Sequence, residues 1–408
     1  MLGSSDPFPM PRLMARWVHA PRLLPLLVAG LLSACGGSAD TSVSTPQEAP
    51  LSAAAALGEK IFRDASLSAS GQQSCATCHN PATGHAPANA LSVQLGGPAM
   101  DQQGVRQAPS IRYMSFNTAF FFDGEGTPTG GFFWDGRAAS LAEQAAEPFL
   151  NPREMANTDK AAVVAKLAQA SYAAEFKQAY GDAVFNDVDG AYLRMTLALQ
   201  QYEREDSEFR GFSSKYDSFL LGKVRLSEQE MRGLALFNSP TKGNCAGCHP
   251  SSRGADGALP LFTDFTYDNL GVPRNPDIAL NADPGYIDLG LCARPDLTSH
   301  TDLCGAFKVP SLRNVALRGA FFHNGRFKTL KEALTFSVQR DTNPEKCYPL
   351  NPDNTANKFD DLPAQYHGNV NTTEVPYNRG LGDTPALSDS EIDDVIVFFH
   401  TLSDGYTP

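Results

Sequence analysis

The residues whose types and spacing carry the most explicit chemistry are Cys75-Ala76-Thr77-Cys78-His79 and Cys245-Ala246-Gly247-Cys248-His249. Two thiols separated by two residues and followed at once by an imidazole form the attachment site of a c-type haem. The thiols make thioethers to the vinyl edge, and the histidine, held beneath the ring by the same turn, gives a nitrogen to iron. A zinc site or a disulfide would use the same residue types. Zinc ribbons bring their cysteine pairs within about 15–20 residues of each other, whereas His79 and His249 stand 170 residues apart and each pair has its own histidine. Cys75, Cys78, His79, Cys245, Cys248 and His249 are therefore expected to hold two covalently bound haem c groups, with His79 and His249 on the irons.

A turn of this kind must be positioned by helices. Leu51–Phe62 has apolar residues at helical period before the polar approach Ser66–Ser74. The second half repeats the plan: Ser227 caps a helix running to Phe237, with Glu230 three residues on, and Asn238–Asn244 leads into Cys245. Each module should close with a further helix, Ala191–Arg210 in the first and Leu387–Leu402 in the second. Gly211–Val224 reads as a linker, and the Gly, Pro, Asn and Asp stretches 251–290 and 343–386 read as loops with little sheet. At 408 residues the chain is long enough for two cores. The expected fold class is mainly α: two cytochrome c-like domains, 51–215 and 222–408, each binding one covalent haem and carrying long irregular loops.

The N-terminus belongs to neither domain. Arg12, Arg16 and Arg22 precede the apolar run Leu23–Leu32, which is too short to span a bilayer permanently and reads as an export signal over residues 1–34. Leu32-Ser33-Ala34-Cys35 resembles the lipobox of bacterial lipoproteins, in which the cysteine is acylated; a plain signal peptide is the alternative. Residues 35–50 then form a flexible linker, and the protein would be periplasmic, touching the membrane only through lipid on Cys35. Loss of Arg12, Arg16, Arg22 and Asp6 takes the formal charge from −12 to −14. So acidic a chain excludes nucleic acid as a partner. It suits docking of a basic electron-transfer protein, although solubility alone explains it equally well.

Further motifs narrow the chemistry. They are Phe133-Trp134-Asp135-Gly136-Arg137-Ala138, Glu143-Gln144-Ala145, Asn151-Pro152-Arg153-Glu154-Met155 and Phe307-Lys308-Val309-Pro310-Ser311-Leu312-Arg313-Asn314. Together with the haem motifs, this ordered set resembles the bacterial di-haem cytochrome c peroxidase and MauG family over nearly all of residues 51–405. The resemblance implies peroxide chemistry at the N-terminal haem, electron transfer at the C-terminal haem, and Trp134 between them. It also implies a distal pocket with Glu154 as general acid/base and Gln144 orienting peroxide and water. Cleavage of bound peroxide needs a proton moved from the inner to the outer oxygen, which a carboxylate with an amide can accept and return. A structural alternative is that Asn151 and Pro152 start a helix in which Glu154 merely answers the dipole. With Trp17 in the signal, Trp134 is the only tryptophan of the exported chain.

The sixth position on each iron is less regular. Methionine is the usual partner of histidine on an electron-transfer haem, but the last methionine is Met231, so nothing after His249 supplies a thioether. Counting from Phe322-His323-Asn324-Gly325, the position where the family places methionine or tyrosine is Ser337. Water or hydroxide, Ser337 itself, Cys347, Tyr348 or His323 remain open as the ligand. The loop Gln94–Gln107 lacks the histidine of peroxidases that need reductive activation, so the first haem should be five-coordinate and active without it. His85 reads as a pocket-edge or propionate partner, and Cys292 with Cys304 as a loop-closing disulfide. The family's inter-haem calcium would draw on Gln107 and the carbonyls of Arg318 and Ala320.

The resulting expectation is an exported di-haem peroxidase that reduces hydrogen peroxide with electrons from a small c-type cytochrome or cupredoxin. A homodimer is one assembly open to it. The alternatives are a MauG-like oxidase acting on a partner protein and a non-catalytic di-haem electron carrier.

Overall fold

The computed structural model describes residues 50–408; the expected signal, Cys35 and all but the last residue of the linker lie outside the described residues. Ten α-helices are found there: α1 Ala53–Arg63, α2 Cys75–Cys78, α3 Leu141–Leu150, α4 Lys160–Leu167, α5 Ala173–Tyr180, α6 Val188–Glu205, α7 Lys215–Leu220, α8 Glu228–Asn238, α9 Leu330–Gln339 and α10 Asp389–His400. Sheet is confined to three two-residue antiparallel pairs, β1 Leu95–Gly96 with β2 Gln102–Gln103, β3 Phe121–Phe122 with β4 Pro128–Thr129, and β5 Tyr267–Asp268 with β6 Phe307–Lys308. The fold is mainly helical with long irregular loops, as the sequence implied.

The helices that flank each haem turn start where their caps allow. Ser227 and Glu230 close a reciprocal capping box on α8, and Ser388 and Glu391 do the same on α10. Ser52 caps α1 by accepting from the Ala55 N–H. In each half the opening helix lies directly on the closing one, and a glycine sets how closely. A Cβ at Gly58 would stand 2.0 Å from the Ala198 carbonyl oxygen, and one at Gly233 would stand 2.1 Å from that of Asp394. Backbone therefore meets backbone where α1 crosses α6 and where α8 crosses α10.

Two large apolar cores result. One gathers Leu57, Phe62, Phe149, Phe176, Met195 and Tyr202; the other gathers Tyr216, Phe237, Phe262, Phe336, Tyr348 and Phe398. Local geometry repeats between them. Phe133 and Phe322 both adopt a left-handed φ of 65°, and the bridges Phe132–Ala138 and Phe321–Phe327 close equivalent loops ahead of α3 and α9.

Gly211–Val224 is not a simple linker. It contains α7, where Ser214 caps the helix and Asp217 is buried against Arg313. Both side chains are 1% exposed, and the Arg313 guanidinium also lies 4.7 Å from the Tyr113 ring and 4.5 Å from that of Phe212. Composition suggested a tether because the ion partner is 96 residues away in sequence. Burial alone would raise the Asp217 carboxyl, but the paired bonds from Arg313 outweigh it and hold it below the usual range. Asp404 adds a second tie: it accepts from Tyr113 Oη at 2.7 Å and Asn314 Nδ2 at 2.6 Å. Cys292 and Cys304 are disulfide-bonded, as expected.

Removing one partner of the buried pair strands the other charge. Asp217→Ala is expected to cost about 3–5 kcal/mol, whereas Asp393→Ala, which breaks the half-exposed pair with Lys331, should cost under about 1 kcal/mol. Chemical denaturation of the two variants checks the difference.

Candidate active site

Each haem turn is built so that one imidazole nitrogen is spoken for. The His79 N–H closes the turn on the Cys75 carbonyl at 2.9 Å, and His79 Nδ1 lies 3.2 Å from the His85 carbonyl oxygen. His249 repeats this, with Nδ1 2.8 Å from the Phe262 carbonyl. The carbonyls can reach because His85 and Phe262 both take left-handed backbone, at φ 54° and 55°. An Nδ1–H donated to a carbonyl leaves Nε2 unprotonated and aimed outward, the form that binds iron. Burial holds both imidazoles below their ordinary pKa, which keeps them neutral for that task.

His85 itself is not at a pocket edge. Its ring is fully buried, 4.1 Å from that of Phe209, and its Nδ1 accepts from Arg112 Nε at 3.1 Å. Burial, then the Arg112 charge, push it down to about 3, so it is neutral. Its contribution to the site is the backbone carbonyl beneath His79.

The second motif opens on a cavity of about 750 Å³ whose wall includes Cys245, Cys248, His249, Trp134, Ser337 and Tyr377. A largely apolar cradle with two thiols and an imidazole along it fits a covalently held haem. Among the ligand alternatives, Ser337 and His323 line this cavity. Cys347 and Tyr348 pack into the second core, the thiol pushed up to about 12 by burial and the phenol donating to the Gly271 carbonyl at 2.7 Å. Ser337 Oγ donates back to the Ala333 carbonyl at 2.9 Å, a bond internal to α9. His323 stacks flat on Phe307 with ring centroids 3.5 Å apart. Sequence reasoning missed Tyr377, whose ring carries the Arg340 guanidinium at 4.5 Å.

Around the first motif, Glu154 does not start a helix. It sits in a turn after α3, where its Oε1 accepts from Asn151 Nδ2 at 3.0 Å. The Gln94–Gln107 loop, which offers no histidine, clamps this turn instead: the Gly97 N–H donates to the Glu154 carbonyl at 2.8 Å. A Cβ at Gly96 would be 2.3 Å from the Arg153 oxygen, so only glycine admits the approach. Glu154 lies close enough to Cys75 and Cys78 for its charge to act on both thiols. Burial raises its carboxyl to about 7, against the pull of Arg137 and Asn151. Gln144, on α3, lines a narrow cavity of about 40 Å³ with Trp134, Pro109 and Met114.

A second buried carboxyl escaped the sequence reading. Glu203, on the buried face of α6, is 7% exposed; its Oε2 has no hydrogen-bond partner, and burial raises it to about 8. Its position four residues after Leu199 on the apolar stripe was the available signal.

The two cavities share a seam. Trp134 lines both cavities, and its Nε1 donates to the Gln107 carbonyl at 2.8 Å. The Lys308 N–H donates to the Trp134 carbonyl at 2.9 Å, and the Gln107 N–H donates to that of His323 at 2.7 Å. Lys308 Nζ donates to the Gly131 carbonyl. Gln107 Oε1 accepts from Arg318 Nη2 at 2.5 Å. A calcium ion binds six to eight oxygens, and here one of the three expected oxygens already holds a guanidinium proton; as they stand, Gln107, Arg318 and Ala320 do not fit that ion.

The family described as di-haem cytochrome c peroxidase matches residues 52–225. The methylamine utilization protein MauG of Paracoccus denitrificans is 35% identical over 86% of this chain and 89% of its own. The chain belongs to the di-haem cytochrome c peroxidase and MauG family. Cytochrome c551 peroxidase of Nitrosomonas europaea is 34% identical over 75% of this chain and 78% of its own. The crystal structure of the diheme peroxidase BthA from Burkholderia thailandensis superposes with a TM-score of 0.80 at 37% identity, covering 90% of both chains. Membership makes the protein a di-haem oxidoreductase with two c-type haem cofactors and a cytochrome c-like fold.

Because the Ser337 hydroxyl proton is used within α9, Ser337→Ala is expected to leave the optical spectrum of the ferric holoprotein unchanged. A shifted spectrum would show that the serine oxygen reaches the iron.

Proposed function

We propose that the protein is a peroxidase that reduces hydrogen peroxide to water at the haem held by Cys75, Cys78 and His79, with Cys245, Cys248 and His249 holding the haem that receives electrons. The observation that carries this reading is Glu154: a half-buried carboxyl whose charge is felt at Cys75 and Cys78, raised to about 7, with a hydrogen bond from Asn151. A non-catalytic carrier has no use for such a group.

When bound, the haem iron supplies the electrons and polarises the peroxide. Glu154 takes the proton from the inner oxygen and returns it to the outer one, which leaves as water. Gln144 orients the peroxide by hydrogen bonding, and Asn151 keeps the Glu154 carboxylate in place. Overall one peroxide, two electrons and two protons give two waters. Trp134, which lines both cavities, is the group through which the two sites exchange oxidising equivalents. With no histidine in the Gln94–Gln107 loop, the enzyme would work without reductive activation.

The two cores support a reading as two haem domains near the expected 51–215 and 222–408, with Tyr216, Phe219 and Leu220 of α7 packing into the second core, so that the boundary falls before α7. Electrons would come from a basic c-type cytochrome or a cupredoxin in the periplasm, with Cys35 as a lipid anchor. No described helix is long and apolar enough to cross a membrane. A second reading, a MauG-like oxidase acting on a partner protein, draws on the 35% identity to MauG.

A general base must be ionised, so the rate constant for reaction with peroxide should rise as pH passes upward through about 7, the value to which burial brings Glu154. Glu154→Gln should lower the rate roughly 10²–10⁴-fold and abolish that limb. Steady-state turnover with peroxide and reduced cytochrome c checks both, and negligible turnover of the unaltered protein favours the MauG-like reading.

A further inference from the structure

We propose that the Arg318 guanidinium is a fixed cation of the seam between the two cavities and that it takes the place of a divalent ion there. Arg318 lines both cavities and therefore stands in the wall between them. Its Nη2 donates to Gln107 Oε1 at 2.5 Å, while its Nε is buried with no hydrogen-bond partner. Among the described residues no carboxylate lies within salt-bridge distance of it, and no group of three or more His, Cys, Asp or Glu side chains is placed to hold a metal. Burial lowers the guanidinium to about 10, which leaves it charged at neutral pH.

A calcium ion on the same oxygens would meet two obstacles. It would have to share Gln107 Oε1 with a guanidinium proton, and it would take the carbonyl of the very residue whose side chain carries the competing positive charge. Two cations held a few ångströms apart in a buried site repel strongly, and no described acid stands by to offset them. The guanidinium does what a bound ion would do for the seam. By fixing the Gln107 amide it fixes the residue whose carbonyl receives the Trp134 indole and whose N–H reaches the His323 carbonyl. This rests on the reading of the larger cavity as a haem site, yet the metal content of the protein can be measured whether or not it turns over peroxide.

The test uses the holoprotein. Elemental analysis is expected to find well below one calcium per chain, and EGTA is expected to leave the optical and EPR spectra of both haems unchanged. Arg318→Gln should lower the midpoint potential of at least one haem, because loss of a nearby cation favours the more positive iron. Near-stoichiometric calcium whose removal alters the haem spectra would overturn the proposal, and so would unchanged potentials in the Arg318→Gln variant.

Discussion

The structure turns on a buried amide. Gln107 is 2% exposed, and it spends its N–H on His323, its backbone carbonyl on the Trp134 indole and its side-chain oxygen on Arg318. Trp134 comes from the first half of the chain and Arg318 and His323 from one segment of the second, and all three line the large cavity. A buried polar group left unpaired costs roughly 1–3 kcal/mol, so each bond holds its partner in place. Gln107 thus ties Trp134 and Arg318, two residues of the wall between the cavities, to each other.

A parallel constraint governs the ends of the seam. Each proximal histidine works only as the tautomer with a bare Nε2, and the protein enforces it with a carbonyl from left-handed backbone at His85 or Phe262. The same device occurs twice, although the residue supplying the carbonyl is a histidine in one half and a phenylalanine in the other. Side-chain identity is free at that position because the bond uses the backbone. The halves differ elsewhere: in the first the charge of a half-buried carboxyl is felt at the cysteines, whereas in the second a serine of the cavity wall is turned back into its own helix.

Much of this was legible in the chain because the signals are local. Cysteine and histidine spacing marks the haem turns, and Ser227 with Glu230 and Ser388 with Glu391 mark helix starts three residues apart. What escaped depends on contacts far apart in sequence. α7 looked like a tether until Arg313 buried its Asp217, and His85 read as a pocket-edge or propionate partner until Phe209 and Arg112 enclosed it. The Arg318 side chain was invisible for the same reason, whereas Glu203 had a local signal in its place on the apolar stripe of α6. Composition cannot say which charged residue will be denied water; only the fold decides that.

The central claim is an asymmetry: an open, reactive first site and a second site that passes electrons. EPR spectroscopy of the as-isolated ferric protein, before and after stoichiometric peroxide, tests it most directly. The account predicts a high-spin, five-coordinate ferric signal from the haem at His79 that is lost on addition of peroxide, without prior reduction. Two low-spin signals indifferent to peroxide would contradict it and leave an electron carrier in its place.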